Sequence, residues 1–223
     1  MTVDELKHNL DAVRARIEKA RSAGGASVKL VAATKTVPAA LVNAAIELGI
    51  NAVGENRVQE YLDKRDLVSG AEWHFIGTLQ RNKAKYLVGN VALIQSVSSV
   101  ELAEEIERLA ARRGVVQDVL VEVNAADEPS KTGADFASAD GLIGRVAVMP
   151  HIRLRGVMAV PPRGADDAVY MRVTRLYERY KNASAGFDIL SVGMSGDYER
   201  AIACGSNMVR IGTALFGARN TGG

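Results

Sequence analysis

This chain of 223 residues has little cysteine and no long apolar segment, two features that mark specialised protein classes. Cys204 is its only cysteine, which excludes an internal disulfide and a cysteine-rich zinc site, and its apolar neighbours predict a buried thiol. No apolar run approaches the roughly 20 residues that span a bilayer. The charged N-terminal segment also has no apolar core of the kind found in signal peptides. We therefore expect a cytoplasmic protein without a membrane partner.

Charge of one sign is not in excess either. The chain has 28 basic and 26 acidic residues, a net charge of +2, and the two signs interleave. A nucleic-acid partner bound through a basic surface is therefore not expected. The hydrophobic fraction of 48% and the charged fraction of 24% are typical of a globular protein, and the length predicts a single domain over residues 1–223.

An amphipathic helix is predicted at the N-terminus, over about residues 2–22. Thr2 and Glu5 form a capping box at its start, and Gly24-Gly25 are expected to end it. The apolar residues that recur at helical spacing are Leu6, Leu10, Val13 and Ile17.

After this helix, short apolar runs rich in β-branched residues alternate with helical patterns. The clearest helix is predicted over 99–113, with Ser98 and Glu101 as a capping box. Eight strands that alternate with helices predict a (β/α)8 TIM barrel with an extra N-terminal helix. An open doubly wound sheet is the alternative, although no G-x-G-x-x-G follows the first run. The eight runs lie at 28–34, 50–53, 72–76, 91–95, 116–123, 153–160, 188–192 and 207–211.

Lys35 directly follows the first run, at the end of the barrel where binding and catalytic residues gather. A lysine there can be partly desolvated, which favours the neutral amine that forms a Schiff base with an aldehyde. On position alone, a solvated loop lysine is the alternative.

Two glycine-containing segments follow the seventh and eighth runs. In the first, Ser195 is predicted to cap a helix that begins near Asp197. In the second, Gly212 and Thr213 offer backbone N–H groups and a hydroxyl to a phosphate. Such turns cap helices in many proteins, but barrels frequently bind phosphate in these two loops, so together they favour a phosphorylated ligand.

A phosphate site and an amine at one barrel mouth match the needs of pyridoxal 5′-phosphate. Arg210 then acquires a role against the pyridine nitrogen, because a guanidinium donates hydrogen bonds but does not yield its proton. The ring would stay largely unprotonated and would be a weak electron sink. A salt-bridged barrel residue is the alternative interpretation of Arg210.

At this point the chain resembles a known family, the pyridoxal phosphate homeostasis proteins, also called the proline-synthase co-transcribed family. The resemblance runs in order over nearly the whole chain. The motifs that carry it are 33–36 (ATKT), 54–60 (GENRVQE), 73–83 (WHFIGTLQRNK), 131–133 (KTG), 155–159 (RGVMA), 193–197 (GMSGD) and 208–213 (MVRIGT).

The resemblance implies a barrel of the alanine racemase N-terminal type with pyridoxal phosphate bound to Lys35. It also implies that Arg210 faces the ring nitrogen, that Asn56 lies near the ring, and that three residues hold the phosphate, namely Ser195, Gly212 and Thr213. Two residues have less defined roles. His74 is expected to be a hydrogen-bonded structural residue, and Lys131 is a candidate for a part in aldehyde transfer.

The function predicted is intracellular pyridoxal phosphate homeostasis, in which a monomer holds the cofactor as a reversible Schiff base and releases it to apo-enzymes. No catalytic residue and no metal ligand is predicted. A barrel-type pyridoxal enzyme of low activity, such as a racemase or decarboxylase, is the alternative. Enzymes of that type add a β domain, on the order of 100 further residues. They also need a second acid-base group, which Tyr170, Tyr177 and Tyr180 do not offer because they share one predicted helix.

Overall fold

The computed structural model describes residues 1–21, 27–126, 132–184 and 186–218. Eight parallel strands pair in chain order and close into a barrel, which confirms the (β/α)8 prediction and excludes the open sheet. Each predicted run overlaps one strand. The strands are β1 (Lys29–Ala33), β2 (Ala52–Glu55), β3 (Glu72–Phe75), β4 (Leu93–Val97), β5 (Gln117–Val123), β6 (Ile152–Ala159), β7 (Ile189–Ser191) and β8 (Met208–Ile211).

Helices cover the outside of the barrel. Between β3 and β4 the connection is a 3₁₀ helix, Arg81–Tyr86, instead of an α-helix. Within the described residues, no helix has the length and apolarity needed to cross a membrane. The α-helices are α1 (Val3–Ala20), α2 (Ala39–Glu47), α3 (Val58–Lys64), α4 (Val100–Arg113), α5 (Phe136–Ala147), α6 (Asp167–Lys181), α7 (Tyr198–Ala203) and α8 (Thr213–Phe216).

The N-terminal helix α1 begins as predicted. The Thr2 hydroxyl accepts the Glu5 N–H at 3.2 Å, and the Glu5 carboxylate accepts the Thr2 N–H at 2.7 Å. Its four apolar residues are buried against α2, α7 and α8. The glycines expected to end it, at 24 and 25, lie outside the described residues.

The predicted cap of α4 is wrong by one residue. Ser99, not Ser98, is the N-cap, and its hydroxyl accepts the Leu102 N–H at 3.2 Å. An N-cap side chain bonds the backbone of the first turn, so the capping serine is selected by where that turn must begin. Here the burial of Leu102 and Ile106 against the barrel fixes the start of the helix.

Strand alternation arranges the barrel interior in layers. The central layer is apolar and consists of Val31, Ala52, Leu93, Leu120, Met158 and Met208, with the partly buried Ile189 of β7 packed against them. Because side chains alternate along a strand, residues two positions further on point into the barrel one layer closer to the C-terminal mouth. On four strands these residues are polar and buried, namely Gln95, Glu122, Ser191 and Arg210. The fold therefore places a polar floor beneath the mouth.

Candidate functional site

Lys35 lies two residues beyond β1 with a half-buried side chain. The chain turns sharply after it: Thr36 has a φ of 63°, and the Val37 N–H donates to the Thr34 carbonyl at 2.9 Å. A left-handed conformation costs a non-glycine residue on the order of 1 kcal/mol. The Thr36 N–H donates to the Glu60 carboxylate of α3 at 2.7 Å, which holds this turn in place. Local strain is thus concentrated beside Lys35.

A buried ion pair fixes the ends of β1 and β2 under this turn. Glu55 accepts hydrogen bonds from the Thr34 hydroxyl at 2.8 Å and from the Lys64 ammonium at 2.7 Å. The same ammonium donates to the Thr34 carbonyl at 2.8 Å. Burial raises the pKa of the Glu55 carboxyl, while the hydrogen bonds from Lys64 and Thr34 oppose that rise. Sequence reasoning did not assign this role, because the pair forms only when α3 packs on the barrel.

Lys35, Gly212 and Thr213 line one cleft of about 640 Å³. The backbone carbonyl of Ala33 lies 3.4 Å from the point where a Cβ on Gly212 would stand, so the loops after β1 and β8 touch. This contact follows from the direct pairing of β1 with β8. Three of the predicted residues therefore come together at the C-terminal mouth.

The predicted capping role of Ser195 is wrong, while its predicted contact with a phosphate stays a prediction. It does not cap α7, which begins at Tyr198 with Asp197 as its N-cap residue. Its hydroxyl instead accepts the N–H groups of Gly212 at 3.2 Å and of Ala214 at 3.1 Å. The loop after β7 lies across the start of α8, and this tertiary contact outweighs the local capping pattern. Ser195 thus marks the point where two backbone donors converge.

Arg210 is buried beneath the mouth, and its guanidinium is held by three acceptors. It donates to the Ser191 hydroxyl at 2.6 Å, the Ser191 carbonyl at 2.8 Å and the Ala159 carbonyl at 3.0 Å. Complete burial lowers the pKa of Arg210 to about 10, and the negative charges of Glu122 and Asp197 oppose this shift. The side chain is therefore a cation at neutral pH with a fixed orientation.

Glu122 is a further candidate site residue that sequence reasoning missed. It lies on β5 in the same interior layer as Arg210 and accepts the Thr132 hydroxyl at 2.6 Å. Burial raises the pKa of this carboxyl, whereas the Thr132 hydrogen bond and the Arg210 charge lower it. The alternation of β5 was the available signal, since an acidic residue at an inward position of a buried strand is unusual.

Asn56 lines a neighbouring cleft of about 340 Å³ instead of the Lys35 cleft. Its side-chain oxygen is buried and has no hydrogen-bond partner among the described residues. Lys131 lies outside the described residues. His74 is buried in the barrel interior and hydrogen-bonded to Gln95, in the structural position expected for it.

Gly77 fixes where Asn56 lies. A Cβ at Gly77 would stand 2.1 Å from the Asn56 carbonyl oxygen, far inside van der Waals contact. We expect Gly77→Ala to destabilise the fold by about 2 kcal/mol, as overpacking does. Gly141→Ala on α5 is the matched control: its Cβ would meet nothing within 4 Å, so a gain of up to about 1 kcal/mol is expected. Equal unfolding free energies of the two variants in urea would contradict this account.

Comparison with known proteins places the chain in a family. The profile of the family described as "Alanine racemase, N-terminal domain" matches residues 2–220. The pyridoxal phosphate homeostasis protein of Escherichia coli K12 is 39% identical over 233 aligned residues, which cover 98% of either chain. The protein of that name from Aquifex aeolicus is 40% identical and covers 94% of this chain and 96% of its own.

Among solved structures, PipY of Synechococcus elongatus PCC7942 with PLP bound matches with a TM-score of 0.83 at 29% identity, covering 95% of this chain and 100% of PipY. Fold, family profile and full-length relatives agree. The chain therefore belongs to the alanine racemase N-terminal domain family and, within it, to the pyridoxal phosphate homeostasis proteins.

Proposed function

We propose that this chain acts in pyridoxal 5′-phosphate homeostasis, holding the cofactor reversibly as a Schiff base on Lys35 and releasing it. The names of its relatives and the PLP-bound structure of PipY support this function. The observation that carries the choice of residues is the shared cleft of Lys35, Gly212 and Thr213. The amine and two of the three residues predicted to hold the phosphate line the same opening, whereas Ser195 and Arg210 do not line it.

The residues at the mouth fit the cofactor. The N–H groups of Gly212 and Ala214 converge on the Ser195 hydroxyl, whose place a phosphate oxygen would take, and the exposed Thr213 lies between them in the chain. Convergent backbone donors are what a phosphate requires. In the neighbouring cleft, the buried side-chain oxygen of Asn56 has no hydrogen-bond partner in the part of the chain that the structure describes. When bound, pyridoxal phosphate supplies an aldehyde carbon for the lysine amine and a ring that withdraws electrons.

Arg210 favours holding over catalysis. Its guanidinium remains protonated and can only donate to a ring nitrogen, so it does not protonate that nitrogen. Two of the three tyrosines of α6 are engaged with carboxylates: Tyr170 donates to Asp197 at 2.8 Å, and Tyr180 donates to Asp140 at 2.7 Å. We therefore propose that the chain works without catalytic turnover. We also propose that it is a cytoplasmic monomer of one domain and that it supplies the cofactor to apo-enzymes.

A binding and turnover assay tests this function. We expect pyridoxal phosphate to bind with visible absorbance, and pyridoxal without its phosphate to bind at least about 100-fold more weakly, since charge-assisted hydrogen bonds to the phosphate are lost. The loaded protein should restore the activity of an apo-enzyme. Amino-acid racemisation or decarboxylation well above that of free pyridoxal phosphate would contradict the proposal and support the enzymatic alternative.

A further inference from the structure

A chain of hydrogen bonds crosses the barrel interior from Arg210 toward the opposite end. Arg210 donates to the Ser191 hydroxyl at 2.6 Å, and this hydroxyl lies 2.7 Å from the Gln95 side-chain oxygen. The Gln95 side-chain nitrogen lies 2.9 Å from His74 Nδ1. His74 Nε2 then contacts the Glu72 carboxylate at 3.4 Å, which is the longest link. We call these five side chains the relay.

The relay has one direction. The Gln95 oxygen only accepts, so the Ser191 hydroxyl donates to it; the Gln95 nitrogen only donates, so His74 Nδ1 accepts. The proton of neutral His74 is then on Nε2 and faces Glu72. Every link donates away from the mouth, from a cation to an anion. Hydrogen bonds aligned in this way polarise one another in a low-dielectric interior.

The lower end of the relay opens to solvent. Lys29 and Glu72 are the first residues of β1 and β3, and they line a cleft of about 790 Å³ at the N-terminal end of the barrel, together with His74. Hydrogen bonds from His74 and Lys29 lower the pKa of Glu72 to about 2. Burial lowers the pKa of His74. At neutral pH the relay therefore ends on an ionised carboxylate next to a neutral imidazole.

Few other charges face the relay. Lys29 on β1 and Glu72 on β3 face His74, and the Lys29 ammonium pairs with the Glu72 carboxylate. At the upper end, Glu122 on β5 and Asp197 after β7 face Arg210. Asp188 lines the same lower cleft as Glu72, but its carboxylate pairs with Arg155 at 2.6 Å. The lower cleft thus holds one carboxylate inside the relay, that of Glu72, and two outside it, those of Asp188 and of Asp118, which pairs with Arg153 and Arg155.

We propose that His74, Gln95 and Ser191 are positioning residues that couple Glu72, at the far end of the barrel, to the Arg210 guanidinium. This inference rests on the proposed function, in which Arg210 faces the cofactor ring. The carboxylate at the end of the relay polarises the hydrogen bonds that lead to it, and this reduces the partial positive charge on the other N–H groups of the Arg210 guanidinium. Arg210 is therefore a weaker hydrogen-bond donor to the ring than an isolated arginine.

The direct test is the pH dependence of the visible absorbance of the loaded protein. Glu72→Gln removes the negative end of the relay, so Arg210 acts on the cofactor as a stronger positive group. The Schiff base on Lys35 then loses its proton more easily, and the pH midpoint of the absorbance change falls by about 0.3 to 0.5 pH unit. Glu72 is 54% exposed and remote from the mouth, so the variant is expected to fold and to bind the cofactor.

Asp188→Asn is the matched control, since it removes a carboxylate from the same cleft without touching the relay. We expect the pH midpoint of its absorbance change to stay within about 0.1 pH unit of the wild type, which is smaller than the shift expected for Glu72→Gln. Ser191→Ala breaks the relay while Arg210 keeps two carbonyl acceptors. In that background Glu72→Gln should produce no further shift. Equal shifts for Glu72→Gln and Asp188→Asn, or an undiminished shift in the Ser191→Ala background, would overturn the coupling.

A measurement on cofactor-free protein separates this inference from the proposed function. Nitrogen-15 chemical shifts of His74 should show Nε2 protonated and Nδ1 unprotonated at pH 7. A protonated Nδ1 would overturn the relay even if the protein binds pyridoxal phosphate. Absence of any visible absorbance after cofactor addition would instead contradict the proposed function, whatever the state of His74.

Discussion

Replacing Lys35 with arginine is expected to abolish covalent capture of pyridoxal phosphate. Arginine keeps the positive charge and a similar length, but its guanidinium is not deprotonated in proteins and forms no Schiff base. Label fixed by borohydride should fall at least about 100-fold relative to wild type, because an unmodified site leaves only slow, nonspecific reaction of surface lysines. The measurement is the mass of the intact protein after reduction.

The control for this variant is Lys83→Arg, which changes an exposed lysine of the neighbouring cleft. It should be labelled like the wild type. The backbone beside Lys35 is held by Thr34, Thr36, Glu55 and Glu60, so Lys35→Arg should change the free energy of unfolding by less than about 1 kcal/mol. Undiminished labelling of Lys35→Arg would show that another amine captures the cofactor.

The second large effect is expected at the ion pair below the mouth. Lys64→Met should destabilise the protein by about 3 to 5 kcal/mol, because it leaves the carboxylate of Glu55 buried without a cation. The Lys64 and Glu55 side chains are 12% and 0% exposed, whereas those of the surface pair Lys7 and Asp11 are 61% and 57% exposed. Lys7→Met should therefore cost less than about 1 kcal/mol. Urea denaturation of both variants makes the comparison.

The pH dependence of Lys64→Met follows from the state of Glu55. The folded-state pKa of Glu55 is raised, so the native state binds this proton more tightly than the unfolded chain does, and the contribution of Glu55 to stability falls as pH rises above about 4.5. Without Lys64 the pKa of Glu55 is raised further, so the fall in stability between pH 4 and pH 7 is larger. The destabilisation should be smaller at pH 4 than at pH 7, and Glu55→Gln in the same chain should restore part of the stability at pH 7. Equal destabilisation at both pH values would contradict the buried-charge explanation.

Most of the fold could be predicted because its signals are local. Runs of β-branched residues located all eight strands, and the periodicity of Leu6, Leu10, Val13 and Ile17 located α1. Two local features were not recovered. The choice between Ser98 and Ser99 depends on how α4 packs, and a 3₁₀ helix at Arg81–Tyr86 takes the place of the α-helix that the alternation of strands and helices predicts between β3 and β4.

The site was predictable only in part. Lys35, Gly212 and Thr213 share a cleft because barrel closure brings the first and last strands together, which the fold prediction already contains. The partner of Ser195 and the relay depend on the register of strands distant in sequence. Alternation indicates which residues point inward, but it does not say that Gln95 of β4 meets Ser191 of β7. Such contacts become visible only in three dimensions.

Borohydride reduction of the loaded protein, followed by peptide mapping, tests the assignment of Lys35 most directly. We expect one predominant modified peptide, which carries the reduced pyridoxyl group on Lys35 in the segment Ala33-Thr34-Lys35-Thr36. A predominant modification at any other lysine, including Lys64, Lys83 or Lys131, would contradict this assignment.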